Sequence, residues 1–211
     1  MPPDTKALWD VILTLITMAG AIAAFLIGWM QWRRGQAWQR AEQLDKFVVK
    51  FESDELLKLA TAVLDWYQRT VTFKGCDLTV RNSEVLLALR DHRTIEDDNK
   101  FSSQQATLRD AYDALLAFFN RLELGTTTGL VESAAAKAYF AYWLERLVSF
   151  DQHRAEATVV NGADPANLVA AYIRVYGTPE SIEELCRAFD IKPPDFKAAQ
   201  PYIYKAKAVA A

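Results

Sequence analysis

The stretch that decides the fold is Val11–Met30, VILTLITMAGAIAAFLIGWM. It continues into Gln31–Phe51, QWRRGQAWQRAEQLDKFVVKF, with no helix breaker except Gly35. The first half is uncharged and almost wholly apolar on every face; the second is amphipathic. Twenty helical residues rise about 30 Å, the thickness of a bilayer's hydrocarbon core. The backbone there has no water to bond to, so a lone span is a helix. The expected architecture is all-α: one N-terminal transmembrane helix continuing into a cytoplasmic helical bundle. On this reading 1–7 is a disordered leader and 8–32 the anchor. The helical domain covers 33–190 and a tail 191–211.

The flanks give an orientation. Trp9 stands at one end of the apolar run, Trp29 and Trp32 at the other. Indole rings favour the headgroup level, so the three read as interface anchors. Arg33 and Arg34 follow at once, then Arg40 and Lys46, whereas Lys6 is the one basic residue before the run. The positive-inside rule places the C-terminal part in the cytoplasm and the N-terminus outside. A cleavable signal peptide would use Leu8–Met18 as its apolar core, with a cut after Ala21 or Ala23. Asp10 stands where its basic region belongs, and the apolar run continues past the cut, which favours an uncleaved anchor. Gly20, Ala24 and Gly28 recur every four residues, a small-residue face through which two spans can pack closely. The bilayer and a second copy of the chain are therefore expected partners, with an unidentified cytoplasmic protein as a third.

Beyond the anchor, periodicity predicts further helices. Ala37, Ala41, Leu44, Val48 and Phe51 make a 4-3-4-3 stripe. Ser53 reads as an N-cap of a helix to about Arg69, with Leu56, Leu59, Ala60, Val63 and Tyr67 inward. In Thr70–Val80, β-branched residues flank Lys74-Gly75-Cys76-Asp77, which suits a small hairpin or a loop equally. Asn82 or Ser83 caps a shorter helix. Phe101 precedes the capping-box pattern Ser102-Ser103-Gln104-Gln105. That helix carries Leu108, Tyr112, Leu115, Phe119 and Leu122 on one stripe and stops at Gly125. A second runs from about Leu130 to Phe150 with Val131, Ala135, Ala138, Tyr142 and Leu147 apolar. The short link predicts an antiparallel hairpin of the two at the bundle's centre. Asp164-Pro165 and Thr178-Pro179-Glu180 start two more helices, and Lys192-Pro193-Pro194 breaks the chain.

Two stretches together resemble a known family: Gln36–Ala60, QAWQRAEQLDKFVVKFESDELLKLA, and Leu115–Leu147, LLAFFNRLELGTTTGLVESAAAKAYFAYWLERL. A single span, an Arg-Ala-Glu helix ending in Phe-x-Ser-Asp, a Phe-Phe helix, a Gly-bounded turn and a Tyr-x-x-x-Trp helix resemble bacterial single-span proteins of domain-of-unknown-function family 4760, over about residues 8–148. Asn120 stands where that pattern has an acid. The resemblance implies a helical protein of the bacterial inner membrane and transfers no activity.

Composition narrows the function classes. Without leader and anchor about 175 residues remain, enough for one sizeable core. A net charge of −3 and a pI near 5.5 argue against general nucleic-acid binding. Cys76 and Cys186 lack CxxC spacing and read as thiols. His92 and His153 have no partner at ligand spacing, and Glu96, Asp97 and Asp98 lack the alternation and Gly of a calcium loop. Gly125-Thr-Thr-Thr-Gly129 offers hydroxyls and N–H groups but no Walker Lys, so a helix–helix turn is the better reading. Arg121 and Glu123 end one helix of the expected hairpin, while Glu145, Arg146 and Arg154 end or follow the other. An antiparallel pair sets these groups apart, and each reads as surface. No cofactor or catalytic set is expected. The leading function is a non-enzymatic, membrane-anchored interaction or scaffold module. The alternatives are a sensor–effector, marked by a polar pocket lined with Arg or Lys, and a membrane-tethered enzyme.

Overall fold

The computed structural model describes residues 3–65, 68–91, 100–149 and 168–199. The protein is predominantly helical, with a long apolar helix at its N-terminus. Among the described residues there are seven helices and one two-stranded sheet. The chain divides into two compact units, Met1–Glu42 and Gln43–Ala211.

Helix α1 (Pro3–Ser53) takes up all of the described part of the first unit and enters the second. It already includes residues 3–7, assigned to the leader on sequence. It is long and apolar enough to cross a membrane, and none of its apolar stretch is buried within the molecule. Thr14 and Thr17 donate their hydroxyls to the carbonyls of Asp10 and Leu13, at 2.7 and 2.8 Å. Both are the i to i−4 bonds that helical threonines make to their own backbone.

In the second unit, the last turns of α1 bury Leu44 and Phe51 and half-bury Phe47 and Val48. Ala37 and Ala41, on the same expected stripe, are exposed. Helix α2 (Glu55–Asp65) is capped by Asp54, not Ser53: its Oδ1 accepts from Leu56 N at 2.9 Å and Leu57 N at 3.4 Å. Leu59, Ala60 and Val63 are buried as expected; Leu57 is buried with them, and Leu56 is half-buried against the core. Tyr67, on the same expected stripe, lies outside the described residues.

The fold is not wholly α. Strands β1 (Gln68–Phe73) and β2 (Cys76–Arg81) pair antiparallel, with Phe73 opposite Cys76 and Thr70 opposite Thr79. Their two-residue link, Lys74-Gly75, has positive φ at both positions (49° and 77°). That is the tight turn whose twist matches paired strands, and glycine at its second position makes it accessible. Thr70 and Thr79 hydroxyls meet at 3.1 Å across the pair, and Thr72 donates to Asp77.

Helix α3 (Asn82–Ala88) has Arg81 at its N-cap position, with no side-chain cap. Helix α4 (Ser103–Thr127) starts with the expected capping box of Ser102 and Gln105. It packs against α2, α3 and α7, and also against α5. Leu108, Tyr112, Leu115, Phe119 and Leu122 are all buried on it. It runs past Gly125 to Thr127. Gly125 is buried there for close packing: a Cβ would stand 3.3 Å from Val131 and 3.5 Å from the Phe47 ring. The left-handed exit falls at Gly129 (φ 71°) instead.

Helix α5 (Ser133–Val148) buries Ala136, Phe140, Leu144 and Leu147. The expected inward Tyr142 is 46% exposed. Its hydroxyl bonds to the Asp65 carboxylate, and Arg146 Nε donates to it at 3.2 Å. The helix starts three residues later than periodicity suggested, and because its Phe140, Leu144 and Leu147 face packs into the core, Tyr142 is left outward. Phe51, Phe118 and Phe140 join α1, α4 and α5, with ring centroids 4.9 to 5.3 Å apart. Helices α6 (Leu168–Tyr176) and α7 (Pro179–Ala188) complete the unit. Proline opens α7 as expected, but Thr178 makes no cap bond; its hydroxyl accepts from Asn120 Nδ2 at 2.9 Å.

A polar and aromatic clasp ties α3, α4 and α6, with Tyr172 and Asp91 buried, Arg109 and Tyr176 half-buried and Asp113 exposed. The Arg109 guanidinium lies 4.3 Å from the Tyr176 ring and 4.9 Å from Tyr172, and donates to the carbonyls of Ala88 and Arg90. Tyr172 donates to Asp113, and Tyr176 to Asp91. Burial, reinforced by Asp113, pushes the Tyr172 phenol well above its ordinary range.

Candidate ligand groove

Three elements of the second unit meet around a groove of about 300 Å³. The end of α1 supplies Lys46, Phe47 and Lys50. The start of α2 supplies Asp54 at its cap and Leu57. One face of α4 supplies Ala114, Ala117, Phe118 and Arg121, spaced as helical neighbours. The groove exists because α4 carries alanine at 114 and 117, so two positions facing α1 and α2 add little volume. Leu57 and Phe118 are buried and form its apolar floor. Lys46, Lys50 and Arg121 are exposed at its rim.

The rim is basic in a chain that is acidic overall. Three cations face one carboxylate, Asp54, and that carboxylate is engaged. It accepts from Lys50 Nζ at 2.5 Å and from the two backbone N–H groups that it caps. Lys50 and these N–H groups outweigh partial burial and hold its carboxyl below the usual range. The polar lining residues are those four, three ammonium or guanidinium groups and one capping carboxylate. They bring charge and apolar area together around one opening.

The residues singled out on sequence lie elsewhere. Trp9, Trp29, Trp32, Arg33 and Arg34 sit exposed along α1, with the Arg33 guanidinium 5.0 Å from the Trp29 ring. Gly20, Ala24 and Gly28 are exposed on the same helix, and a Cβ added at Gly20 or Gly28 meets nothing within 4 Å. The Thr126, Thr127 and Thr128 hydroxyls bond to Glu123 and Leu124 of their own helix, so they serve its C-terminus. Arg121 lines the groove, while Arg146 pairs with Asp65 at 3.8 Å. Cys76 is exposed and Cys186 buried. His92, His153, Arg154, the acidic Glu96–Asp98 run, Asp164-Pro165 and most of the expected tail lie outside the described residues. Among those described, no group of three or more His, Cys, Asp or Glu is placed to hold a metal ion. Sequence reading passed over the groove. Its one local signal is the Ala114, Ala117, Phe118, Arg121 spacing, two small residues beside an aromatic and a cation.

No family model matches the chain, and neither does any curated protein or solved structure.

Proposed function

We propose that this protein is a single-span, membrane-anchored interaction module without enzymatic activity. In this reading α1 holds the chain in a bacterial inner membrane, with the N-terminus outside and the helical domain in the cytoplasm. The domain is a helical bundle centred on an antiparallel α4–α5 hairpin. Its partners are a second copy, met through Gly20, Ala24 and Gly28, and a cytoplasmic protein. The observation that carries the reading is the continuity of α1: one helix runs from an apolar, unburied stretch into a segment whose Leu44 and Phe51 are core residues. Whatever docks on the domain is thereby tied to the bilayer. The basic residues after Trp32 and the resemblance carried by Gln36–Ala60 and Leu115–Leu147 support the same placement.

The test is crosslinking in native membranes. A homodimer is expected, weakened by Gly20→Ile or Gly28→Ile, because isoleucine adds bulk to the contact while meeting nothing within its own chain. A monomer, or an oligomer indifferent to both substitutions, rejects the span contact. The sensor–effector reading has one observation in its favour, the groove rimmed by Lys46, Lys50 and Arg121. It requires that a groove ligand change the yield of span crosslinks.

A further inference from the structure

We propose that the free edge of β1 takes up an extended segment of a partner protein as a third strand, and that this segment carries an apolar and an acidic side chain. The proposal deepens the interaction-module reading and rests on it, because it names the chemistry that the cytoplasmic partner presents.

The hairpin register decides which backbone groups are free. In an antiparallel pair, residues that exchange ladder bonds alternate with residues whose N–H and C=O point away from the partner strand. The two-residue turn makes Phe73 and Cys76 the first bonded pair and Val71 and Leu78 the next, so Thr70 and Thr72 turn their backbone groups outward. Among the described residues, no hydrogen bond reaches those groups from elsewhere. The Thr70 and Thr72 hydroxyls are engaged within the hairpin, with Thr79 and Asp77. The other edge differs: Gln104 of α4 donates to the Thr79 carbonyl at 2.7 Å and covers it. Edge strands are commonly blunted by proline, lysine or a bulge. Strand β1 has none of these, and Arg69 is its one charge.

The surroundings select the occupant. Thr70, Val71 and Thr72 line one opening together with Lys58 and Ala62 of α2 and Trp143 of α5. Strand side chains alternate between faces, so an opening that touches three consecutive residues runs along the edge. Donors and acceptors repeating there at every second residue match another extended main chain, a repeat that no lipid, nucleotide or helix presents. Val71 and Trp143 are half-buried against the core and offer apolar area. Lys58 is exposed and makes no ion pair among the described residues, which suits a carboxylate. Asp65 lines the same opening but does not neutralise Lys58, because Tyr142 and Arg146 hold its carboxylate. The β1 edge of a second copy would bring its own α2 and α5 into an opening that the same elements already flank, so the occupant is a lone extended segment.

The test pans the full chain, in nanodiscs of zwitterionic phosphatidylcholine, against a phage library of random peptides. Enriched peptides should combine β-branched or aromatic residues with Asp or Glu, and should slow amide hydrogen exchange at Thr70 and Thr72. Two variants act separately. Thr70→Pro removes one outward N–H and keeps the bonds to β2, as proline does on an edge strand; Lys58→Glu reverses an exposed charge. Each should weaken peptide binding about tenfold. If Thr70→Pro disturbs the hairpin, Lys58→Glu decides, together with N-methylation of the enriched peptide at alternate residues, which removes the same bonds from the other side. No enrichment over empty nanodiscs overturns the proposal. Binding indifferent to both variants also overturns it, moving the partner to another surface and leaving the interaction-module reading in place. Dimerisation lost in Thr70→Pro, with no peptide enriched, gives the edge to a second copy and overturns it too. A failed span crosslink, by contrast, rejects the contact in the membrane and leaves the peptide result unchanged.

Discussion

Lys50 and Asp54 join the end of α1 to the start of α2: the ammonium donates to the carboxylate at 2.5 Å while that carboxylate caps α2. One side chain thus fixes both the helix junction and a wall of the groove. Asp54→Ala should cost about 0.5–2 kcal/mol, the usual range for a lost N-cap. Asp54→Asn keeps the cap and loses an exposed ion pair worth about 0.2–1 kcal/mol, so it should cost less. The pH dependence has a definite sign. The folded carboxyl lies below its ordinary 3.8, chiefly through Lys50. Its contribution is therefore complete above the unfolded value and is lost as pH falls through the folded one. Denaturation of both chains should show the gap between wild type and Asp54→Ala constant near neutrality and closing below about pH 4. A gap that widens on acidification contradicts this geometry.

Phe119 is fully buried on α4 and meets the Phe118 ring edge-on at 5.7 Å. Truncation to alanine should cost about 3–5 kcal/mol. Chemical denaturation of the full chain checks this, and a loss below about 1 kcal/mol would mean the site collapses or faces solvent.

The two thiols should react at very different rates. Cys76 is exposed beside the hairpin turn, and Cys186 is fully buried. Burial, with the charge of Glu183 adding to it, pushes the Cys186 thiol up to about 12. The thiolate is the reactive form, so iodoacetamide at pH 8 should modify Cys76 promptly and Cys186 only after denaturant is added. Equal rates, read by peptide mass, would show that α7 does not hold Cys186 in the core.

Local signals were legible in the sequence, and contacts between distant segments were not. The apolar run, the Ser102–Gln105 box and the Leu108–Leu122 stripe each depend on neighbours a few residues away. Tyr142 failed for a non-local reason. The α5 phase is set by which face meets Phe51 and Phe118, and the Tyr142 hydroxyl finds Asp65 on another helix. Gly125 read as a stop because glycine often ends helices, but here its small size admits Phe47 and Val131. Ser53 and Asp54 are both good caps, and sequence alone does not choose between them. The Lys74-Gly75 turn lacks the Asn-Gly or Asp-Gly pair that marks a hairpin most strongly. The groove was least visible, because Ala114 and Ala117 become a gap only when α1 and α2 close over them.

The central claim is that α1 anchors the chain with its C-terminal domain in the cytoplasm. The most direct measurement places a fluorescent protein or alkaline phosphatase after Ala211 in bacterial cells and follows both fusions through alkaline carbonate extraction. The account predicts a bright fluorescent fusion, an inactive phosphatase, and protein that stays in the membrane pellet with its N-terminus intact. An active phosphatase, release by carbonate, or a mature N-terminus after Ala21 or Ala23 would contradict it.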